Sequence, residues 1–252
     1  MDFSQYFPLL LAALTGVAAG FLNTLAGGGS LLTLPVLNFI GLDLGIANAT
    51  NRFSILCQNF SAMCLYQKRG EIEWGSVLKY VLPAIAGSFL GTMTAIYIPP
   101  KAFRIIAAIS IAAMGALLAF KREMWENPKG TPLSPRARDA ALFFSGMYGG
   151  FLQAGVGFFL IWAIVGGCKK SLKEANIIKI VVVALYTVLS LVLFASFGMV
   201  NWTAATALAI GSVTGGNLGA RFNLKGDKKY LRLILTAAVF ISAAKIIWDT
   251  FR

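Results

Sequence analysis

Long apolar runs divide this chain, and they constrain its fold more than any other feature. Phe7–Leu25, Val77–Ile98 and Phe103–Phe120 each approach or exceed the roughly 18 residues that cross a bilayer as a helix. The hydrocarbon core holds no water for backbone groups, so a spanning segment must satisfy them as a helix or within a closed barrel. Hydrophobic residues make up 58% of the chain and charged residues 13%, outside the range of soluble domains. The sequence predicts an all-α polytopic membrane protein.

The chain also matches itself at a constant offset of 128 residues. The aligned pairs are Ala47-Asn48 with Ala175-Asn176, Gly70 with Gly198, Trp74 with Trp202, Gly87 with Gly215 and Gly91 with Gly219. Nearer the start, Gly20-Phe21-Leu22 aligns with Gly150-Phe151-Leu152 at an offset of 130. Such self-similarity indicates a structural repeat, so we predict two halves of the same fold.

Each half contains a segment broken at glycines, followed by three spans. In the first half these are Phe7–Leu25 with Ser30–Phe39, then Ala47–Tyr66, Gly75–Tyr97 and Phe103–Phe120. In the second half they are Ala140–Leu152 with Phe158–Gly166, then Leu172–Phe197, Trp202–Phe222 and Leu231–Phe251. Prolines and basic residues in Lys121–Arg138 indicate a solvated loop. The predicted domains are a first transmembrane repeat (1–120), a cytoplasmic linker (121–138) and a second transmembrane repeat (139–252).

Basic residues indicate how the halves are oriented. Fifteen of the 22 lysines and arginines lie in four regions: Lys68-Arg69, Lys121–Arg138, Lys169–Lys173 and Arg221–Arg232. The positive-inside rule places all four in the cytoplasm if each broken segment is a hairpin that enters and leaves on one side. The result is an inverted repeat, each half a glycine-broken hairpin plus three transmembrane helices, with both termini outside. Lys101 and Arg104 fall on the opposite side, so ten separate helices, or eight with straight broken helices, remain alternatives.

The glycine breaks mark where a substrate would bind. They are Ala26-Gly27-Gly28-Gly29-Ser30 and Ala154-Gly155-Val156-Gly157. Discontinuous helices in inverted repeats form the substrate sites of secondary transporters, and the N-terminus of the following half-helix attracts an anion. Close helix packing or a simple kink is the alternative interpretation.

Basic residues occur within predicted spans, whereas acidic residues lie only in loops or at span ends. Arg52 and Lys179 are candidate functional residues for that reason, with snorkelling to the interface as the alternative. Lys79 and Lys245 lie close enough to span ends to reach the interface. All ten acidic residues fall in loops or at helix ends, which favours an anion over a cation as substrate. The chain has no histidine, which excludes a His-containing metal site, and we predict no metal, cofactor or catalytic residue. The charge of +12 lies mostly in short loops, which argues against nucleic-acid binding.

The segment Asn23–Ser30, Pro35 and the segment Ala47–Arg52 resemble the TauE/SafE family of sulfite exporters. Gly150–Gly157 and the Gly-x-x-x-Gly of Gly215–Gly219 fit the same family. The resemblance covers essentially the whole chain and implies a permease for sulfur-containing anions such as sulfite, sulfonates and sulfoacetate. The expected substrate-binding residues are Asn23, Thr24, Gly27, Gly28, Gly29, Ser30, Asn51, Arg52, Gln153, Gly155, Gly157 and Lys179.

The sequence therefore predicts a secondary transporter that exports sulfite or a small organosulfonate across the cytoplasmic membrane, in a bacterium the inner membrane, by alternating access. A small-anion channel, an accessory subunit and an intramembrane enzyme are the alternatives, although the lack of histidine removes most general bases. Besides the anion, membrane lipid is an expected partner. The sequence leaves open whether a proton or sodium ion is coupled and whether the protein is a homodimer.

Overall fold

The computed structural model describes residues 3–25, 28–120, 133–168 and 170–222. These residues form nine α-helices, and none of them lies in a β-strand. The helices of the first half are α1 (Phe3–Leu25), α2 (Ser30–Phe39), α3 (Leu44–Lys68), α4 (Trp74–Tyr97) and α5 (Pro100–Phe120). Those described in the second half are α6 (Pro135–Phe151), α7 (Val156–Cys168), α8 (Leu172–Ser196) and α9 (Trp202–Phe222).

Local sequence signals set several helix boundaries. The Asp43 side chain accepts a backbone hydrogen bond in the first turn of α3, and Ser171 with Glu174 forms a capping box at the start of α8. Gly70 after α3 and Gly198 after α8 both have a φ of +68°, which side chains other than glycine's disfavour. These two glycines are paired in the offset of 128, so the same turn leads into α4 and into α9.

The helices follow the predicted segments, and several begin a few residues earlier: α1 at Phe3, α3 at Leu44 and α5 at Pro100. Both breaks separate two distinct helices. Helix α6 begins at Pro135 rather than Ala140, because the Ser134 side chain caps it and proline suits the first turn. The last four residues of the predicted linker are therefore helical. Its residues 121–132 and the predicted span Leu231–Phe251 lie outside the described residues.

Two helix pairs pack with their backbones in close contact: α1 with α9, and α4 with α6. A Cβ on Gly215 of α9 would lie 1.9 Å from the carbonyl oxygen of Val17, and one on Gly87 of α4 would lie 1.9 Å from that of Phe143. Close approaches to a partner backbone also occur at Gly16, Gly20, Gly91, Gly146, Gly150 and Gly211. Small residues allow such contact between membrane helices. Each tight pair thus joins one helix from each half.

Helices α3 and α8 lie at the centre and contact each other. Helix α3 also packs against α9 and α2, and α8 packs in the same way against α4 and α7. Exchanging the two halves therefore converts these helix contacts into one another.

Three described helices are long and apolar enough to cross a membrane: Tyr6–Thr24 within α1, Trp74–Tyr97 and Lys173–Ser196 within α8. Helices α2 and α7 contribute shorter apolar segments. The composition and these helices identify a multi-pass membrane protein, which confirms the prediction from the apolar runs.

Candidate functional site

The buried face of α3 carries seven buried polar side chains. They are Asn48, Thr50, Asn51, Arg52, Ser54, Gln58 and Asn59, each at most 4% exposed. Lipid offers such groups no hydrogen bonds, so they face other helices. The opposite face of α3 is left for apolar contacts, so the polar face turns toward the other helices.

The first break is held together by two carboxamides. Asn23 near the end of α1 accepts a hydrogen bond from the Gly29 N–H at 3.1 Å, and donates to Gln58 of α3 at 3.3 Å. Asn51 of α3 donates to the Ser30 hydroxyl at 3.1 Å. The first turn of α2 is therefore fixed to both α1 and α3.

The second break turns through two residues in the left-handed region. Gln153 has a φ of +65° and Gly155 a φ of +79°. For a residue other than glycine this conformation costs roughly 1–2 kcal/mol. The Tyr148 hydroxyl holds the turn by donating to the Ala154 carbonyl at 2.6 Å. Gln153 is thus a strained residue at the start of α7, which is a common property of binding sites.

Arg52 of α3 binds the end of the broken helix in the other half. Its guanidinium, fully buried, donates to the carbonyl oxygens of Gly149 and Gly150 in the last turn of α6, and to the side-chain oxygen of Gln153. The last carbonyls of a helix have no partner within it and carry partial negative charge. Arg52 therefore acts as a charged C-terminal cap.

Lys179 of α8, in the second half, makes the corresponding contact with the broken helix of the first half. Its ammonium donates to the carbonyl oxygens of Asn23 at 3.1 Å and Thr24 at 3.3 Å, in the last turn of α1. Each half thus provides the cation that caps the other half's broken helix. The capped residues, Asn23 and Thr24 against Gly149 and Gly150, are offset by 126 positions.

A small cavity lies between the two breaks. Its lining consists of three carboxamides, one ammonium group, the first two residues of α7 and one valine of α8. These residues are Asn23, Asn59, Gln153, Lys179, Val156, Gly157 and Val183. No acidic residue is among the described residues that line it. Its volume of about 10 Å³ is close to the minimum for one water molecule, so the cavity is closed to any larger species.

Four of the predicted site residues meet at this cavity: Asn23, Gln153, Gly157 and Lys179. The others lie around it. Arg52 lies behind Gln153, and Thr24 accepts from Gln58 while its carbonyl faces Lys179. Gly28, Gly29, Ser30 and Asn51 surround the start of α2, and Gly155 lies in the second turn. Gly27 is outside the described residues. The substrate-binding role of all twelve stays a prediction.

Two aromatic residues of this region were not predicted from the sequence. Tyr148 holds the second break, and the Tyr186 hydroxyl lies beside Gly149. Tyr186 follows Lys179 by seven residues, two helical turns, so it lies on nearly the same face of α8. That spacing was the one signal available, but a buried tyrosine in an apolar helix is not distinctive.

A second cavity, of about 230 Å³, lies near the α3–α4 turn on the opposite face of α8. Glu71 and Lys173 form an ion pair across it at 3.2 Å, linking the two halves. Lys170 pairs with Glu174 at 2.7 Å, and this hydrogen bond raises the pKa of the Lys170 ammonium. With both charge signs present, this surface has no preference for anions.

Comparison with known proteins places these features in a wider group. The family model described as Sulfite exporter TauE/SafE matches residues 12–246. The probable membrane transporter protein YfcA of Escherichia coli K12 is 27% identical over 250 residues, covering 96% of this chain and 91% of its own. A probable membrane transporter protein of Haemophilus influenzae is 26% identical, covering 95% of each chain. The probable membrane transporter protein YunE of Bacillus subtilis is 21% identical, covering 95% of this chain and 97% of its own.

Proposed function

The chain belongs to the sulfite exporter TauE/SafE family of membrane transporters, and from this membership and the central cavity we propose that it transports a small sulfur-containing anion. The substrate is sulfite or an organosulfonate such as sulfoacetate. Transport is export across the bacterial inner membrane by alternating access. It is a transporter and not an enzyme.

The chemistry of the cavity lining carries this proposal. Lys179 brings a positive charge to the wall, and the carboxamides of Asn23, Asn59 and Gln153 add polar groups. Val156 and Gly157 place the N-terminus of α7, with its partial positive charge, at the same cavity. A cation would meet no described carboxylate here, whereas an anion would meet positive charge from two directions.

Alternating access requires the closed cavity to open, and the helix packing supports a proposal for which parts move. The pairs α1–α9 and α4–α6 are in backbone contact at glycines, so sliding within a pair is obstructed. We therefore propose that these two cross-half pairs rock against each other, and not the two sequence halves. The cavity between the breaks is where such rocking would open a path.

The proposed arrangement is an inverted repeat with both termini outside, and the helix contacts support the two-fold relation between the halves. Exchanging the halves converts α1–α9 into α6–α4 and α3–α9 into α8–α4, as a two-fold axis would. In this orientation the Lys68-Arg69 turn is cytoplasmic. Expelling one negative charge through 100 mV of inside-negative potential then releases about 2.3 kcal/mol, which favours export.

Lys179→Met should reduce sulfite flux about 10–100-fold, roughly 1.4–2.8 kcal/mol, because the cavity wall loses the positive charge that attracts the anion. The measurement is initial uptake of labelled sulfite into proteoliposomes, competed with sulfate, thiosulfate, sulfoacetate, taurine and chloride. Lys179→Arg, which keeps the charge, should retain more flux. Lys68→Met removes an exposed lysine and should leave flux unchanged.

Normal saturable flux in Lys179→Met, with a folded protein by thermal melting, would remove this residue from the site. Flux that does not saturate with sulfite would indicate an anion channel instead. No flux of any sulfur-containing anion would reject the proposed substrate class.

The membrane orientation is testable with single cysteines, introduced after Cys57, Cys64 and Cys168 are replaced by alanine. A membrane-impermeant maleimide added to intact cells should label Asn201→Cys and leave Arg69→Cys unlabelled. Both positions are exposed, so accessibility reports the side of the membrane. Labelling of both, or of Arg69→Cys alone, would contradict the inverted arrangement.

A further inference from the structure

Two buried polar atoms near the second break have no hydrogen-bond partner among the described residues. They are the Nε of Arg52 and the hydroxyl of Tyr186. Both side chains are fully buried. A buried donor without a partner destabilises a fold, so each such group calls for an explanation.

Both groups converge on Gly149. Arg52 donates to the Gly149 carbonyl through Nη1, and the Tyr186 hydroxyl lies 2.7 Å from the position that a Cβ on Gly149 would occupy. A side chain at this glycine would displace the hydroxyl. Because Gly149 has no side chain, two helices, α3 and α8, each bring a donor group to this residue.

Two residues, Gln153 and Val156, lie between these groups and the central cavity. Gln153, which accepts from Arg52, lines the cavity, and so does Val156, whose Cγ2 lies 3.2 Å from the same Cβ position on Gly149. The backbone of Gln153 is strained at a φ of +65°. A conformational change at Gln153 would therefore relieve its backbone strain and expose the Arg52 guanidinium to the cavity.

We propose that the Arg52 Nε–H and the Tyr186 hydroxyl form a two-donor subsite that binds one oxygen of the transported anion when the cavity opens. This inference rests on the proposed function. An anionic oxygen accepts several hydrogen bonds at once, and a guanidinium N–H with a phenol O–H suits a sulfur oxyanion. Tyr186 is then a specificity-determining residue for transport.

Tyr186→Phe tests the subsite, because a hydroxyl that binds the anion and a hydroxyl that stabilises the fold predict different melting temperatures for this variant. Removing a partnerless buried hydroxyl breaks no bond within the protein, so the melting temperature without anion should stay equal or rise. The KM for sulfite should rise about 10–100-fold, the loss of one hydrogen bond to a charged group. Stabilisation of the protein by added sulfite should weaken in parallel.

Tyr66→Phe is the matched control, since Tyr66 is equally buried but is not among the residues that line the central cavity. Its KM should equal that of the wild type. An unchanged KM in Tyr186→Phe would overturn the subsite. If the melting temperature also fell in that case, the hydroxyl would hold a structural water instead of the anion. A wild type that transports no sulfur-containing anion would reject the proposed function and the subsite together, whereas failure of Tyr186→Phe alone rejects only the subsite.

Discussion

Arg52→Met is expected to abolish transport and to lower the free energy of unfolding by about 2–6 kcal/mol. The Gly149 carbonyl and the Gln153 side-chain oxygen would each lose their contact with Arg52, at roughly 1–3 kcal/mol for each buried polar group left unsatisfied. Methionine has a similar length, so the effect comes from lost hydrogen bonds and charge more than from lost volume. Thermal melting of purified protein and sulfite flux in proteoliposomes measure both effects.

Two further variants make this result interpretable. Arg69→Met removes an exposed arginine that directly follows α3, and it should change neither the melting temperature nor the sulfite flux. Arg52→Lys keeps the charge but replaces the planar fork by a single ammonium group, so an intermediate loss is expected. Wild-type melting and flux in Arg52→Met would show that the break needs no charged cap.

The second large effect is expected at the tight helix pairs. Gly215→Ala and Gly87→Ala would each place a methyl group 1.9 Å from a partner carbonyl oxygen, where only backbone could yield. Each substitution should destabilise the protein by about 1–3 kcal/mol or more, and the double variant should not remain monodisperse in detergent. Size-exclusion profiles and melting temperatures report this.

Gly75→Ala is the matched control, because no atom from another part of the fold lies within 4 Å of its Cβ position and its φ is not positive. Alanine is also favoured over glycine within a helix, so this variant should be neutral or slightly more stable. Equal behaviour of Gly75→Ala and Gly215→Ala would mean that the backbones of α1 and α9 are not in contact.

Much of the fold was predictable because the repeat is preserved where turns and large residues occur. Trp74 and Trp202 begin equivalent helices, and Gly70 and Gly198 adopt the same φ. The register of the first helix was wrong by one turn. The alignment paired Gly20 with Gly150 at an offset of 130, whereas Gly20 and Gly146 make the equivalent close contacts. Glycines four residues apart align equally well when an apolar helix slides by one turn, so sequence alone does not decide.

The candidate site was predictable only in part, for a different reason. An unusual side chain such as Lys179 within a span is visible in sequence, and the structure places it at the cavity. Its acceptors are not visible, because every residue carries the same carbonyl and only the end of α1 determines which ones are available. The same holds for Arg52. Tyr186 became a candidate only through the positions of Gly149 and Arg52 in space.

The pairing of α1 with α9 has a consequence for how the chain is made. Helix α1 is synthesised before its partner α9, which follows about 180 residues later, roughly 10–40 s at typical ribosome speeds. Until then its glycine face has no partner backbone, and the first half cannot complete its tertiary structure. The translated halves must therefore wait for each other in the bilayer, and maturation of the protein is a late, concerted event rather than the addition of one finished half to another.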